Sequence, residues 1–391
     1  MSRPSPTVAD DRPLLVHGPR SATYDFGLLH PLTPRRFGPA IDLLRGLGAD
    51  RLVAPEPVED GALERLHEAA YIDTVKRFSV DPERVAERGI GPGDDPAFAG
   101  MHVAAASVAG GSLAAMAAIL AGEALHAFHP GGGLHHAMAG RASGFCIYND
   151  VALAVALARD VGHRVLYLDL DVHHGDGVQA LFWHDPSVLT LSIHESGETL
   201  FPGTGFVHER GGPGAEGLAV NLPMVAGTGD GSWLAALETV VPMVAEAFRP
   251  TMLVTQHGCD SHLLDPLANL RLTTAAYRRA TLLADEVAHR WCDGRWLATG
   301  GGGYDVYRVV PRSWALVWLA QAHREPPRTT PPDWRDRWAA EAERWRQAPP
   351  AMAMIDPPDL AAPESWSVVD ANARTTASVR DLATMTPAPG A

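Results

Sequence analysis

Residues 165–177 read VLYLDLDVHHGDG, and this stretch decides the fold. An unbroken apolar run ending in charge reads as a buried strand whose polar residues emerge at its carboxyl end. Asp169, Asp171 and His173 stand two residues apart, and alternate residues of a strand share a face. Three ionisable groups on one face are costly to desolvate unless a partner offsets them. A divalent cation does so. Carboxylate oxygen with imidazole nitrogen suits zinc, which at catalytic sites keeps three protein ligands and an open position. QHGCDS at 256–261 supplies a third ligand, Asp260, from another loop. A single aspartate is more simply a helix cap or an ion-pair partner; the density of the DxDxHHGD string argues for the metal.

Working outward, further strands are expected at 188–194, 218–223, 251–255 and 296–299. Helical patterns run at about 101–121, 150–161, 232–248 and 273–291, with Asp150 as the N-cap of the second. Strands alternating with helices imply an α/β fold, a single domain whose central, mostly parallel sheet is flanked by helices. In such sheets the active site lies beyond the carboxyl ends of the strands. Polar clusters follow the apolar runs there: His135-His136 after 124–129, DVHHGDG after 165–170, QHGCD after 251–255 and GGGGYD after 296–299. The segment PGGGLHHAMAGRASGFCIYNDVA (130–152) gives His135 and His136 a glycine-rich setting. One histidine is usually structural, but such a pair suits general acid–base work because imidazole titrates near neutrality. Each needs an orienting carboxylate, and Asp169 and Asp176 remain once Asp171 is given to the metal.

Composition narrows the rest. Lys and Arg total 32 against 46 Asp and Glu, a formal charge of −14, with no basic run, so nucleic acid is not an expected partner. The three cysteines, Cys146, Cys259 and Cys292, form no CxxC pair and no disulfide framework. The opening MSRPSPTVADDRP has no apolar core of a signal peptide, and no uninterrupted apolar run reaches 18 residues. A cytoplasmic protein without membrane contact is expected. We divide the chain into a flexible segment at 1–12, a catalytic domain at 13–322 and a Pro/Ala-rich, partly helical extension at 323–391, with a tryptophan-bearing helix near 333–347.

Several motifs together resemble the histone deacetylase family of arginase-type fold, above all its bacterial acetoin-utilisation branch. They are YDFGLLHPLTPRR from Tyr24, GIGPGDDP, GGGLHHA, GFCIYNDVA, LDLDVHHGDG, FPGTG, GCDSHLLDPL and GGGGYD, in order over roughly residues 14–320. The resemblance implies zinc-dependent hydrolysis of the acetyl amide of N6-acetyl-lysine in proteins, with an acyl-CoA-synthesising enzyme as a plausible substrate. It implies Asp171, His173 and Asp260 as zinc ligands, positions that also accept iron(II), and a structural potassium ion on main-chain oxygens around Asp169, Asp171, His173 and Ser192. It makes His136 the general base and His135 its electrostatic partner, oriented by Asp176 and Asp169. Tyr304 donates to the oxyanion. Phe145 and Phe201 wall the acyl-lysine tunnel, Gly144 leaves room beside Phe145, and Leu267 sits near the mouth. Asp94 grips substrate backbone at the rim, and Arg36 lines an inner cavity that handles acetate. After Tyr304 the chain reads DVYRVVPRSW and departs from the nuclear enzymes, which bears on substrate choice and not on the metal.

Three rivals stand beside this reading. An acetylpolyamine amidohydrolase uses the same chemistry, and Glu195 and Glu198 keep it open. A two-manganese ureohydrolase shares the fold but needs further bridging carboxylates. A non-catalytic acetyl-lysine-binding module is expected to have lost a ligand or Tyr304. The oligomeric state is left open by the sequence.

Overall fold

The computed structural model describes residues 12–384; the segment expected to be flexible, 1–12, lies outside it except for Arg12. Eight strands form one wholly parallel sheet among the described residues. They are Leu14–Val16 (β1), Leu52–Val53 (β2), His126–His129 (β3), Val165–Asp169 (β4), Val188–Glu195 (β5), Ala219–Met224 (β6), Met252–Gln256 (β7) and Trp296–Thr299 (β8). Their order is β2-β1-β3-β8-β7-β4-β5-β6. The five longer runs expected from sequence are all present; β1 and β2, at one edge, are too short to signal themselves.

The helices are Phe37–Gly46 (α1), Asp60–Leu63 (α2), Ala69–Val80 (α3), Met101–Leu120 (α4), Asp150–Asp160 (α5) and Asp176–Leu181 (α6). Asp230–Phe248 (α7), Thr274–Trp291 (α8), Val310–Gln321 (α9), Pro332–Arg344 (α10) and Trp366–Thr384 (α11) follow. Helices cover both faces of the sheet, which is why its strands read as continuous apolar runs. Along β4, Val165 and Tyr167 pack toward α4 and α5, whereas Leu166 and Leu168 join the core formed with α1, α7, α8 and α9.

α4 corrects the composition argument behind one expectation. By length and composition it is apolar enough to cross a membrane, although its sequence is broken by small polar residues. In the fold, 67% of its apolar window is buried within the protein, against α3, α5 and β3, which is the behaviour of a core helix.

The cap of α5 is a second correction. Asn149, not Asp150, accepts from the Ala152 N–H at 3.0 Å. The Asp150 carboxylate instead receives the main-chain N–H groups of Gly133 and Leu134, at 3.1 and 2.8 Å. It therefore holds the loop that carries His135 and His136. Beyond α9 the Pro-rich segment returns to the core: Trp334 is buried and donates to the Pro39 carbonyl at 2.8 Å, and α11 lies on α7 and the edge strand β6.

Candidate active site

Loops leaving the carboxyl ends of β3, β4, β5, β7 and β8 converge on a pit of about 210 Å³. His135, His136, Asp171, His173, Gly302 and Tyr304 line it together with Phe145, Phe201 and Leu267, and Asp94 lies exposed at its rim. β4 ends at Asp169, so Asp171 and His173 stand in the following loop and do not share a strand face as their spacing suggested. The loop turns so that His173 Nδ1 lies 3.1 Å from Asp171 Oδ1 and 3.1 Å from Asp260 Oδ2. These three groups are buried, and their facing atoms lie within 4.8 Å of one another.

The electrostatics show what the triad lacks. Burial disfavours charge on His173, yet Asp171 and Asp260 outweigh it and hold its pKa up at about 10. Burial and the neighbouring Asp171 raise Asp260 to about 6. Two carboxylates sharing one buried pocket demand a cation, and two oxygens with one imidazole nitrogen form the donor set of a divalent metal. Close backbone approach makes this possible. A Cβ on Gly302 would stand 1.9 Å from Asp260 Oδ2, while its N–H donates to Asp171 Oδ2 at 2.8 Å.

Two histidine–aspartate pairs flank the triad. His135 Nδ1 lies 2.7 Å from Asp169 Oδ2 and His136 Nδ1 2.6 Å from Asp176 Oδ1. The rings are 4.0 Å apart. Similar partners produce opposite states. For His135, burial opposes protonation but Asp169 and Asp171 prevail, holding its pKa at about 9. For His136, burial reinforced by repulsion from His135 prevails over Asp176, and its pKa falls to about 4. Bonding through Nδ1 fixes the tautomer and leaves the Nε2 edge of His136 as a neutral base.

The walls follow equally local causes. Gly144 adopts φ +54°, and a Cβ there would stand 2.5 Å from His136 Cδ2 and 2.9 Å from Phe201 Cε1. Its smallness makes room for those two rings. Phe145 itself has φ +68°, held by the Tyr24 hydroxyl donating to its carbonyl at 2.8 Å. Phe201 packs edge-on to His136, with centroids 5.0 Å apart, and is 41% exposed. Arg36 is buried, donates to the Gly301 carbonyl at 2.7 Å and lines a second, small cavity of about 20 Å³ beside Leu134. Ser192 pairs across the sheet with Asp169.

Three further residues position this machinery, two of them not singled out in the sequence and one read there only as a helix cap. Gln256 donates to Asp171 Oδ2 at 2.7 Å. Asp265 accepts from the main-chain N–H groups of Tyr304 and Leu267, at 2.7 and 3.1 Å; burial and then Asp260 push its pKa up to about 8. Asp150 is the third. Gln256 and Asp265 lie inside quoted motifs, but only their contacts reveal a role. All three cysteines are buried, and burial raises each thiol, which fits packing and not reactivity.

Comparison with known proteins agrees with this architecture. The histone deacetylase domain family matches residues 30–321. The acetoin utilization protein AcuC of Bacillus subtilis (strain 168) is 41% identical over 373 residues, 93% of this chain and 95% of that protein. AcuC of Staphylococcus aureus (strain MRSA252) is 37% identical over 312 residues, 78% of this chain and 80% of that protein. Two crystal structures align over 94% of this chain and 100% of theirs at 28% identity: an HDAC homologue complexed with SAHA, at a TM-score of 0.80, and an HDAC homologue from Aquifex aeolicus, at 0.79. A parallel sheet with its polar pit beyond the carboxyl edge, matched in sequence and in fold over most of its length, is therefore a deacetylase, and the chain belongs to the histone deacetylase family.

Proposed function

We propose that the protein removes the acetyl group from N6-acetyl-lysine in proteins, releasing acetate, with zinc held by Asp171, His173 and Asp260 and with iron(II) accepted by the same ligands. We place catalysis in residues 13–322 and give 323–391 a bracing part. The observation that carries the reading is the pit: aromatic and aliphatic walls at Phe145, Phe201 and Leu267 lead down to a charged floor. A methylene stem matches such walls, and an amide at its end meets the polar groups.

When bound, the metal supplies Lewis acidity to the amide carbonyl and acidifies the attacking water. The chain's own residues do the rest. His136, neutral and oriented by Asp176, takes the proton of the water at Nε2. His135, held protonated by Asp169, offsets the negative charge of the floor and steadies His136. Burial, and then Asp260 and Asp171, raise the Tyr304 phenol well above its ordinary pKa, so it stays a donor toward the developing oxyanion. A proton then passes to the departing lysine amine. Arg36 lines the small cavity where acetate would lodge. Potassium on the main-chain oxygens around Asp169, Asp171, His173 and Ser192 would brace the β4 and β5 ends.

The polyamine alternative loses its motivating acids. Glu195 is buried, its carboxylate accepting from Asn269 N and Nδ2 at 2.8 Å each and from Thr199. Glu198 is exposed and is not among the residues lining the pit. Asp94 at the rim remains free to accept peptide N–H groups. The test is kcat/KM on an acetyl-lysine peptide against acetylputrescine and acetylspermidine, each repeated with Asp94→Ala. Preference for the peptide, weakened by Asp94→Ala, is expected; preference for the polyamine with peptide turnover untouched by Asp94→Ala sinks the protein substrate and leaves the deacetylase chemistry standing.

A further inference from the structure

At the amino edge of the sheet, opposite the pit, four chemistry-bearing side chains meet. His126 opens β3, Asp285 and His289 share a face of α8 one turn apart, and His323 stands just past α9 with φ +51°. Their donor atoms lie within 4.8 Å of one another. The three imidazole rings form a nearly equilateral triangle, with centroids 5.2, 5.4 and 5.1 Å apart. His289 Nε2 lies 3.2 Å from His323 Nε2, and Asp285 Oδ1 lies 3.4 and 3.2 Å from those two nitrogens. Donors at a zinc–nitrogen distance of ~2.0–2.1 Å in a tetrahedron are ~3.3 Å from one another, which is the spacing among Asp285, His289 and His323.

His126 supplies the independent observation. It is only 3% exposed, and its Nδ1 lies 2.7 Å from the Gln321 carbonyl, which can only accept, so Nδ1 carries the proton. The Gln321 side chain in turn donates to the Ala127 carbonyl at 3.0 Å, fixing this corner. Nε2 is thereby left as a lone pair, and it is buried with no hydrogen-bond partner. An imidazole that donates through one nitrogen to a carbonyl and presents the other bare is the arrangement of a metal ligand with its outer support.

Hydrogen bonds alone serve the cluster poorly. Two Nε2 atoms that both face each other and one carboxylate oxygen cannot both be protonated without bringing their hydrogens together. If only one is protonated, its hydrogen serves either the other nitrogen or the carboxylate oxygen, and the lone pair of His126 remains unmatched in either case. We propose that His126, Asp285, His289 and His323 form a second metal site, a tetrahedral three-histidine, one-carboxylate site for zinc that ties β3, α8 and the end of α9 together. His289 and His323 have side chains 43% and 56% exposed, which gives the ion a path from solvent. The site lies at the sheet end remote from the pit, so its role is structural.

The test uses the full chain and Zn²⁺ alone. Elemental analysis after equilibration in a zinc buffer is expected to give about two zinc ions per chain for the wild type and about one each for His289→Gln and His323→Gln. Both substitutions fall on exposed rings, so folding should survive; circular dichroism checks it, and deacetylation should remain near wild type. The rise in Tm on adding Zn²⁺ to protein stripped by a chelator should shrink in both variants. Equal zinc counts in wild type and His323→Gln, with equal Tm shifts, would overturn the site and leave a hydrogen-bonded histidine cluster.

Discussion

At the floor of the pit, Asp169 and Asp176 each hold one histidine whose far edge faces the cavity. Around the starts of α8 and α9, Asp356 meets His262 at 2.9 Å, Arg312 at 2.6 Å, the Thr274 hydroxyl at 2.8 Å and the Thr274 N–H at 3.0 Å. Both regions bury aspartate against histidine. In the second, both carboxylate oxygens are supplied with donors and the charge is balanced by a fully buried guanidinium, of which Nη2 alone lacks a partner. In the pit each carboxylate holds only one side of its ring: His135 and His136 are driven to about 9 and about 4, and both rings line the cavity. An aspartate closed in among its donors braces a structure, whereas one whose histidine borders a cavity leaves that ring open to a ligand.

The largest effect expected from breaking the contrast falls in the pit. His136→Ala should keep the metal and the fold yet lose ~10²–10⁴ in kcat, the usual contribution of a positioned general base. Metal content and kcat measured on the same preparation decide it: undiminished turnover would remove His136 from the mechanism.

Next comes the satisfied network. Asp356→Ala strands Arg312 and His262, both buried, and should cost about 3–5 kcal/mol in urea denaturation at pH 7. Its pH dependence has a definite sign. Burial would raise the Asp356 pKa, but His262 and Arg312 outweigh it and hold it well below the usual carboxylate range. A depressed folded pKa contributes stability that is complete above the unfolded value of ~4 and is lost as pH falls toward the folded value. The gap between wild type and Asp356→Asn should therefore narrow when the titration is repeated near pH 3. A gap that widens in acid contradicts the assignment.

Tyr304→Phe sharpens the pit side. It removes one hydroxyl and no packing, so stability and metal binding should hold while kcat falls by ~10²–10³. Full activity in this variant would make Tyr304 a wall residue only.

The two regions also differ in how far the sequence discloses them. The pit was legible because its groups sit in dense polar strings directly after apolar runs, where a parallel sheet must gather them. Alternation does not extend to the metal ligands: β4 stops at Asp169, and the following loop brings Asp171 and His173 to Asp260. Gly144 reads in sequence as room beside Phe145, and the three-dimensional course adds His136 and Phe201 pressed against it. Asp150 looked like a cap because it precedes a helix, whereas Asn149 had already taken that place. Asp356 was invisible. It stands in a Pro-rich stretch, IDPPDL, and its partners are 44, 82 and 94 residues away, with no periodicity to announce them.

The same C-terminal segment offers the smallest of these effects. β6 is the last strand of the sheet, and an uncovered edge strand invites pairing with another chain. α11 packs on it. Asn372, 1% exposed, makes the junction specific: its Oδ1 accepts from the Val225 N–H at 3.1 Å and its Nδ2 donates to Thr228 Oγ1 at 2.7 Å. Asn372→Ala leaves both partners under a helix with no replacement, at a cost of about 1–3 kcal/mol. Because the pit lies on other loops, kcat on an acetyl-lysine peptide should not move, while Tm drops by a few degrees. Should kcat fall as well with the protein still folded, α11 would have to be coupled to the loop after β7, where Asp260 stands, and the separation between bracing and chemistry drawn from Asp356 would fail.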